Sequence, residues 1–475
     1  MRARSPVPAT VLVALACAAC EPIPPGADGG ASASDASGGV VAYPALPGGT
    51  ALGAELAASA DPFPPDPELW PSIREERIRT LLGPAMARAG VDAWVVLARE
   101  NANDPVAAHI GAENAGGLAA FLFFADDGGA LGSLALSPET ESTALAEVTP
   151  LDSVRAVPRG SNVYEAVAEE LRARDPAVIA VNSSANNIAD GLSWTQRTRL
   201  EEALGPELTR RLVSSQNVIV EWLAIKLPQE VEIMRRAAAL TERLELEAYA
   251  TIVPGRTTDA QVARFLKRRM AELGVEDGWA PDQNPNVNSG PDRGHSHATE
   301  KVIQPGDVIQ TDFGIRVHGM WVTDIQRFAY VLRPGETEAP PEMQDRWEHA
   351  RAGSRAAFAA LRPGTTGWEV DRAQRALLDA NGSIRIIWST GHPVGYWAHD
   401  LGPRLGGAAG GGAPSGDAAR PLRPGQTFAF DGFFGWPMED GSTKTISVEE
   451  MAVVTEDGAD WLIPPQEEWV LVGGG

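Results

Sequence analysis

The chain has 475 residues with 63 acidic and 40 basic side chains, a formal net charge of −23. Most of its surface would repel a polyanion, which excludes nucleic acid as a partner. A hydrophobic fraction of 44% with 22% charge is that of a globular protein, of about three domains on length alone.

The only cysteines are Cys17 and Cys20, so the body offers no disulfide, cysteine nucleophile or thiolate metal site. Any metal must be held by His, Asp and Glu. Arg2 and Arg4 precede an apolar run, Val7 to Ala19, which has the length of a signal-peptide core and is too short to span a bilayer. Its end, Leu15-Ala16-Cys17-Ala18-Ala19-Cys20, resembles a bacterial lipoprotein signal in which Cys20 is lipidated. Residues 1–20 thus read as a lipoprotein-type signal peptide. The expected product is exported and held to the membrane through an N-terminal lipid anchor only, facing the periplasm or the cell exterior. A soluble secreted protein is the alternative. Residues 21–62 are rich in Gly, Ala, Ser, Asp and Pro and read as a flexible tether.

A first folded unit is expected over residues 63–216. A helical pattern at Ile73–Ala89 alternates with buried-strand signals at Asp92–Leu97 and Leu118–Phe124, as in an α/β layer structure. His109 stands alone there and reads as structural. A second unit is expected over residues 217–475. It opens with Pro228-Gln229-Glu230-Val231-Glu232-Ile233, where acids follow a proline as they do at the positive end of a helix. A second helical pattern follows at Thr258–Leu273.

The chemistry lies downstream. Six of the seven histidines (His295, His297, His318, His349, His392 and His399) fall between positions 295 and 399. The stretch from Ile309 to Tyr330 reads as a hairpin around Gly319, with Asp312 and Asp324 twelve residues apart. A three-residue loop, Val317-His318-Gly319, would pair Arg316 with Met320 and place Asp312 opposite Asp324 on one face. A tight two-residue turn would put the acids on opposite faces unless a bulge corrected the register. Two carboxylates so close repel unless one is protonated or a cation lies between them. Further on, Thr390-Gly391-His392-Pro393 and His399 supply imidazoles. Two strand-like segments, Leu422–Asp431 and Thr445–Gly458, each set an acid among apolar residues, where an unpaired carboxylate is costly.

The order Asp312, Asp324, His392, Asp431, Glu449, framed by Pro305-Gly306-Asp307 and Val454-Thr455-Glu456-Asp457-Gly458, resembles the pita-bread metallopeptidases. That family includes Xaa-Pro aminopeptidase, prolidase and methionine aminopeptidase. The resemblance covers roughly Arg77 to Leu471 and implies an α/β N-terminal domain of the creatinase type (63–216) followed by an α+β pita-bread catalytic domain (217–475). It implies two divalent metal ions, manganese first with cobalt or zinc as alternatives, held by Asp312, Asp324, His392, Asp431 and Glu449. Asp324 and Glu449 would bridge them, and Asp431 would also handle the proton of the attacking water. His295 and His399 take the places of two histidines that contact substrate, His399 at the tetrahedral intermediate, and His297 competes for the first role. Trp397 and Arg404 are candidate substrate-binding residues. Trp321, Tyr396, Phe433, Phe434 and Trp436 could wall a proline ring or belong to the core, and Arg327 could bind a substrate carboxylate or pair with acids.

The activity implied is hydrolysis of the bond preceding proline by a hydroxide activated between two metals, on peptides with proline at the second position; a homodimer is an assembly common in the family. The alternatives are a non-peptidase small-molecule hydrolase or lyase on the same fold, or a catalytically impaired surface binding protein. Four departures bear on this choice. Asp431 stands where the family has Glu, the two hairpin acids are twelve rather than eleven apart, Ser447 replaces an Arg beside the second bridging acid, and Trp388 replaces a pocket His.

Overall fold

The computed structural model describes residues 49–100, 104–126, 130–294 and 297–473. The expected signal at residues 1–20, with Cys17 and Cys20, and His295 lie outside the described residues. Among those described, no helix is long and apolar enough to cross a membrane.

The first sheet has six strands in the order β4-β3-β2-β1-β5-β6: β1 Ala93–Arg99, β2 Leu118–Ala125, β3 Leu131–Pro138, β4 Ser153–Val157, β5 Ile179–Val181 and β6 Leu212–Ser214. Strand β1 runs parallel to β5 and antiparallel to β2 and is buried on both faces. With a side-chain period of two, Trp94, Val96 and Ala98 enter one core, while Ala93, Val95 and Leu97 face the helices Val163–Arg174 and Trp194–Thr209. The expected helix at Ile73–Ala89 is a run of three helical segments, Leu69–Arg77, Ile78–Leu82 and Gly83–Ala89.

Downstream, β7 Glu276–Asp277, β10 Ile315–Val317 and β11 Trp321–Val322 form a small sheet in the order β11-β10-β7. The large sheet is built from β8 Asn286–Ser289, β9 Val308–Phe313, β12 Ile325–Val331, β13 Gly391–Pro393, β14 Thr427–Pro437 and β15 Thr443–Val454 in the order β13-β14-β15-β12-β9-β8. Strand β16 Ala459–Trp461 adds to β15, and β17 Val470–Val472 adds to β12. One face of β14 and β15, carrying Phe428, Phe430, Phe434, Ile446, Val448 and Ala452, packs toward helices Pro341–Ala360 and Gly367–Ala380. Gly432 lets the first of these approach, since a Cβ there would lie 2.0 Å from the Ala350 carbonyl oxygen. The helix Pro228–Ala250, with Pro at its start and Glu230 in its first turn, packs against β9 and β12.

The hairpin expected between Ile309 and Tyr330 forms, with neither of the two turns anticipated in pure form. His318 and Gly319 both have positive φ, 49° and 65°, and the Met320 N–H donates to the Val317 carbonyl at 3.0 Å. That is a tight turn. Val317 nevertheless pairs with Trp321, so Met320 is an extra residue that restores the face, as a bulge does. The resulting register corrects one expectation: Asp312 opposes Gln326, not Asp324. The acids are diagonal neighbours, because the chain turns one residue later than Val317-His318-Gly319 would require. The hairpin also leaves the large sheet for the small one at Gly314, where a Cβ would meet the Thr323 carbonyl oxygen at 2.0 Å.

Part of the stretch expected to be flexible is ordered. Helix Ala51–Ala58 is capped by the Thr50 hydroxyl, which accepts from the Gly53 N–H at 3.0 Å. It lies on helix Pro228–Ala250, burying Leu56, with Gly53 so close that a Cβ would sit 2.3 Å from the Ala239 carbonyl oxygen. Apolar residues at Leu52 and Leu56, one helical turn apart, give the segment a face to bury, which the overall composition of residues 21–62 conceals.

Candidate metal centre

One row of side chains crosses five strands of the large sheet. Asn286 opposes Asp312, Asp312 opposes Gln326, Gln326 opposes Glu449, and Glu449 opposes Asp431. Directly opposed residues in antiparallel strands project to the same face, so three carboxylates of the set share it. A second row runs two residues along on that face. His392 opposes Ala429 and Ala429 opposes Met451, while the Asp324 N–H reaches Met451 Sδ at 3.5 Å. Small Ala429 leaves room between His392 and the acids.

The side chains converge. Carboxylate oxygens of Asp312, Asp324 and Glu449 lie within 4.8 Å of one another, as do ligand atoms of Asp324, His392 and His399. His392 Nε2 is 3.7 Å from Glu449 and 3.8 Å from Asp324. Its Nδ1 lies 3.1 Å from the Pro393 carbonyl oxygen; a proton on Nδ1 would leave the Nε2 lone pair facing the acids. The His399 ring lies 4.2 Å from that of His392 and is exposed.

Crowding shows in the proton affinities. Burial first, then Glu449, Asp312 and Asp431, pushes the Asp324 carboxyl well above the usual range. Asp431 is pushed up in the same way by burial, Glu449 and Asp312. Glu449 rises to about 8 through burial and Asp312, with a hydrogen bond from the Gln326 side chain opposing the shift.

Gln326 is a functional candidate that sequence reasoning missed. Its Oε1 accepts from Gln310 Nε2 at 2.6 Å and from the Ser447 hydroxyl at 2.7 Å, which leaves its amide donors for Glu449. Ser447, the departure near Glu449, therefore belongs to an uncharged relay that reaches Glu449 through Gln326. The signal was available in the strand period: Gln310 and Gln326 share parity with Asp312 and Asp324, and Ser447 with Glu449. Strand β13 is anchored by the buried Asp371, which accepts from the Thr390 hydroxyl at 2.6 Å, while the Thr390 carbonyl takes the Asp431 N–H at 2.7 Å.

Other residues are placed elsewhere. Arg327 is buried and pairs with Glu242 and Glu450 at 3.2 and 3.0 Å, so of its two readings the pairing with acids holds. Trp321, Tyr396, Phe433 and Phe434 are buried, and Trp397 and Trp436 are partly exposed. Phe434 stacks on His349, away from the acids. His318 sits at the hairpin turn against Phe63. His109 is buried among Trp70, Trp222, Tyr396 and Trp397. His297 and Arg404 are exposed, and among the described residues His297 does not join the groups of converging ligand atoms.

Four carboxylates, of which Asp324, Asp431 and Glu449 hold protons against their ordinary affinities, and one imidazole are a donor set that fits hard or borderline divalent cations. Residues 232–456 match the sequence model of metallopeptidase family M24. The chain carries an M24 peptidase domain.

Among relatives of this chain, “Probable dipeptidase PepE” of Mycobacterium tuberculosis is 27% identical over 286 residues, 60% of this chain and 69% of that protein. The Xaa-Pro dipeptidase of Pyrococcus furiosus is 24% identical over 293 residues, 61% of this chain and 76% of that one. The crystal structure of dipeptidase PepE from Mycobacterium ulcerans superposes with a TM-score of 0.62 at 23% identity, covering 85% of this chain and 98% of that one. The shared fold is an α/β N-terminal domain followed by an α+β pita-bread domain, and the chain is a metallo-exopeptidase by class.

Proposed function

We propose that the M24 site hydrolyses the peptide bond preceding proline, in Xaa-Pro dipeptides or at the start of longer peptides, with two divalent cations. Manganese is the first choice and cobalt or zinc the alternatives. The observation that carries this reading is the convergence onto one sheet face of Asp312, Glu449, Asp431 and His392 from four strands and of Asp324 from the link between β11 and β12. The names of the relatives, a dipeptidase and an Xaa-Pro dipeptidase, support the substrate class.

Asp312, Asp324, His392, Asp431 and Glu449 would hold the cations. When bound, the pair supplies Lewis acidity toward the scissile carbonyl and lowers the pKa of a water. Asp431, at the end of the row and with raised proton affinity, would accept the proton of the attacking water and pass it to the leaving imino nitrogen. It does so on a side chain one methylene shorter than Glu. His399, beside His392 and open to solvent, would donate a hydrogen bond to the oxygen that gains charge in the transition state. Trp397, half-buried next to it, would flank the substrate ring. The Gln310–Ser447–Gln326 relay would keep Glu449 oriented through uncharged groups, while the Arg327 guanidinium donates to the Glu449 backbone carbonyl at 3.1 Å.

The test is mass-spectrometric product analysis with the manganese-loaded protein on Xaa-Pro dipeptides and Xaa-Pro-led longer peptides. Release of the first residue supports the reading, and the preferred length assigns it as dipeptidase or aminopeptidase. Survival of every peptide by a protein holding two metal ions would refute it in favour of a small-molecule reaction on the same fold. The Val7–Ala19 run and Cys20 further support an exported lipoprotein, which palmitate labelling lost in Cys20→Ala would test.

A further inference from the structure

Glu230 is fully buried, and its two oxygens collect donors from four places in the chain. Oε2 accepts from Arg77 Nη1 at 2.6 Å and from the Leu227 N–H at 2.8 Å. Oε1 accepts from the Tyr396 hydroxyl at 2.5 Å and from the Trp321 indole N–H at 3.2 Å. Arg77 ends helix Leu69–Arg77, which precedes the first sheet. Its Nη1 and Nη2 also donate to the carbonyl oxygens of Ile225 and Trp222, at 2.7 and 2.8 Å.

The positions of the other two partners matter more than their identity. Trp321 lies three residues before Asp324, and Tyr396 three before His399. The two segments are also joined directly, the Val322 N–H donating to the Gly395 carbonyl at 2.7 Å. A second buried pair fastens the far side of the same loop. Lys226 Nζ is 3.1 Å from Asp400, whose carboxylate accepts from the Tyr396 and Leu401 N–H groups at 2.9 and 2.7 Å. From the first unit, the His109 ring packs edge-on against Tyr396 at 4.6 Å.

A buried ion pair is a poor device for stability alone, because desolvating both charges offsets most of their attraction and apolar residues of similar size would serve as well. What a carboxylate offers here that a leucine cannot is four directed bonds, fixing the indole of Trp321 and the hydroxyl of Tyr396 at one point. We propose that Arg77 and Glu230 are positioning residues for the reaction at the M24 site: the guanidinium from the first domain fixes the Glu230 carboxylate, which holds Trp321 and Tyr396 and through them sets Asp324 and His399 relative to each other. The first domain thus takes part in catalysis in its own chain. The kinetic part of this inference rests on the peptidase reading.

The test uses the full chain with Tyr396→Phe, which removes one hydroxyl and leaves the ring, together with Arg77→Lys and Glu230→Gln. The expected result for Tyr396→Phe is a kcat lowered on the order of tenfold, since small misplacements of reacting groups are costly. KM, bound metal and melting temperature stay near those of the parent. A second readout needs no turnover: the ring ¹H–¹⁵N signals of His399, assigned through His399→Gln, should shift or broaden in Tyr396→Phe and stay put in the surface control Arg155→Gln. A folded Tyr396→Phe with unchanged kcat and unmoved His399 signals would overturn the proposal. Should Glu230→Gln not fold, Tyr396→Phe alone decides. Should the parent cleave no peptide, the peptidase reading fails while the His399 signals still decide this one.

Discussion

Removing the metals should make the protein increasingly unstable as pH rises. Glu449 has its carboxyl raised from 4.5 to about 8 by burial and by Asp312, and Asp324 and Asp431 are raised in the same sense. A group with a folded pKa above its unfolded value gives its full contribution below the unfolded pKa and loses it as pH climbs through the folded one. The loss is about 1.4 kcal/mol per pH unit per group, so Glu449 alone costs about 2 kcal/mol between pH 6.5 and 8. Buried His109 is held well below its ordinary 6.5 by burial and by Arg77 and acts in the opposite sense, but its effect ends near pH 6.5. For a unit the size of Tyr43–Gly475, at about 2.1 cal/mol/K per residue, 2 kcal/mol is roughly 2 °C, and Asp324 and Asp431 add to it. Calorimetric melting of chelated and manganese-loaded protein from pH 6.5 to 8 measures the gap between the two states, in which contributions from groups remote from the site cancel. The gap should widen with pH. A gap that stays flat or narrows would refute the argument that these acids are crowded until a cation compensates them.

Three further outcomes can be checked. Asp431→Glu should raise turnover of an Xaa-Pro dipeptide by several-fold, on the order of 1 kcal/mol in the barrier, because the longer arm regains reach for proton transfer; equal or lower kcat counts against a proton-handling role. Gln326→Ala removes the group that orients Glu449 and should weaken manganese affinity about 10–100-fold by calorimetric titration, and unchanged affinity would show the relay to be idle. Gly432→Ala places a Cβ against the Ala350 carbonyl oxygen at 2.0 Å and the Ser354 nitrogen at 2.6 Å. It should cost about 1–3 kcal/mol in denaturant unfolding, and a neutral result would mean that helix Pro341–Ala360 is free to move off the sheet.

The elements around the site were legible because apolar period and turn chemistry agree there. Helices at Pro228–Ala250 and Asp259–Glu272 and the strands bearing Asp312, Asp431 and Glu449 sit where the patterns put them. The register of the hairpin was not legible. It depends on His318 adopting positive φ beside Gly319 and on Met320 being extra, and a non-glycine residue in that conformation leaves no mark in composition. Gln326 and Gln310 escaped notice because amides away from a motif look like surface residues. Arg77, Glu230, Lys226 and Asp400 escaped for a related reason: a charge read along the chain is taken as solvated, whereas these four find their partners 153 and 174 positions away.

The row from Asn286 to Asp431 is assembled from strands far apart in the chain, and Glu449 arrives on the last long strand, Thr443–Val454. A ribosome that has released everything up to β12 has delivered Asp312 and Asp324 but neither His392 nor the other two acids. No competent cage can exist until the C-terminal hairpin closes the sheet. Cation capture must then follow folding rather than guide it, unlike in small domains nucleated by their metal. The ion that occupies the centre will be chosen by what is abundant in the compartment where the sheet closes. For a chain threaded unfolded through an export channel, that inventory would be the one on the far side of the membrane.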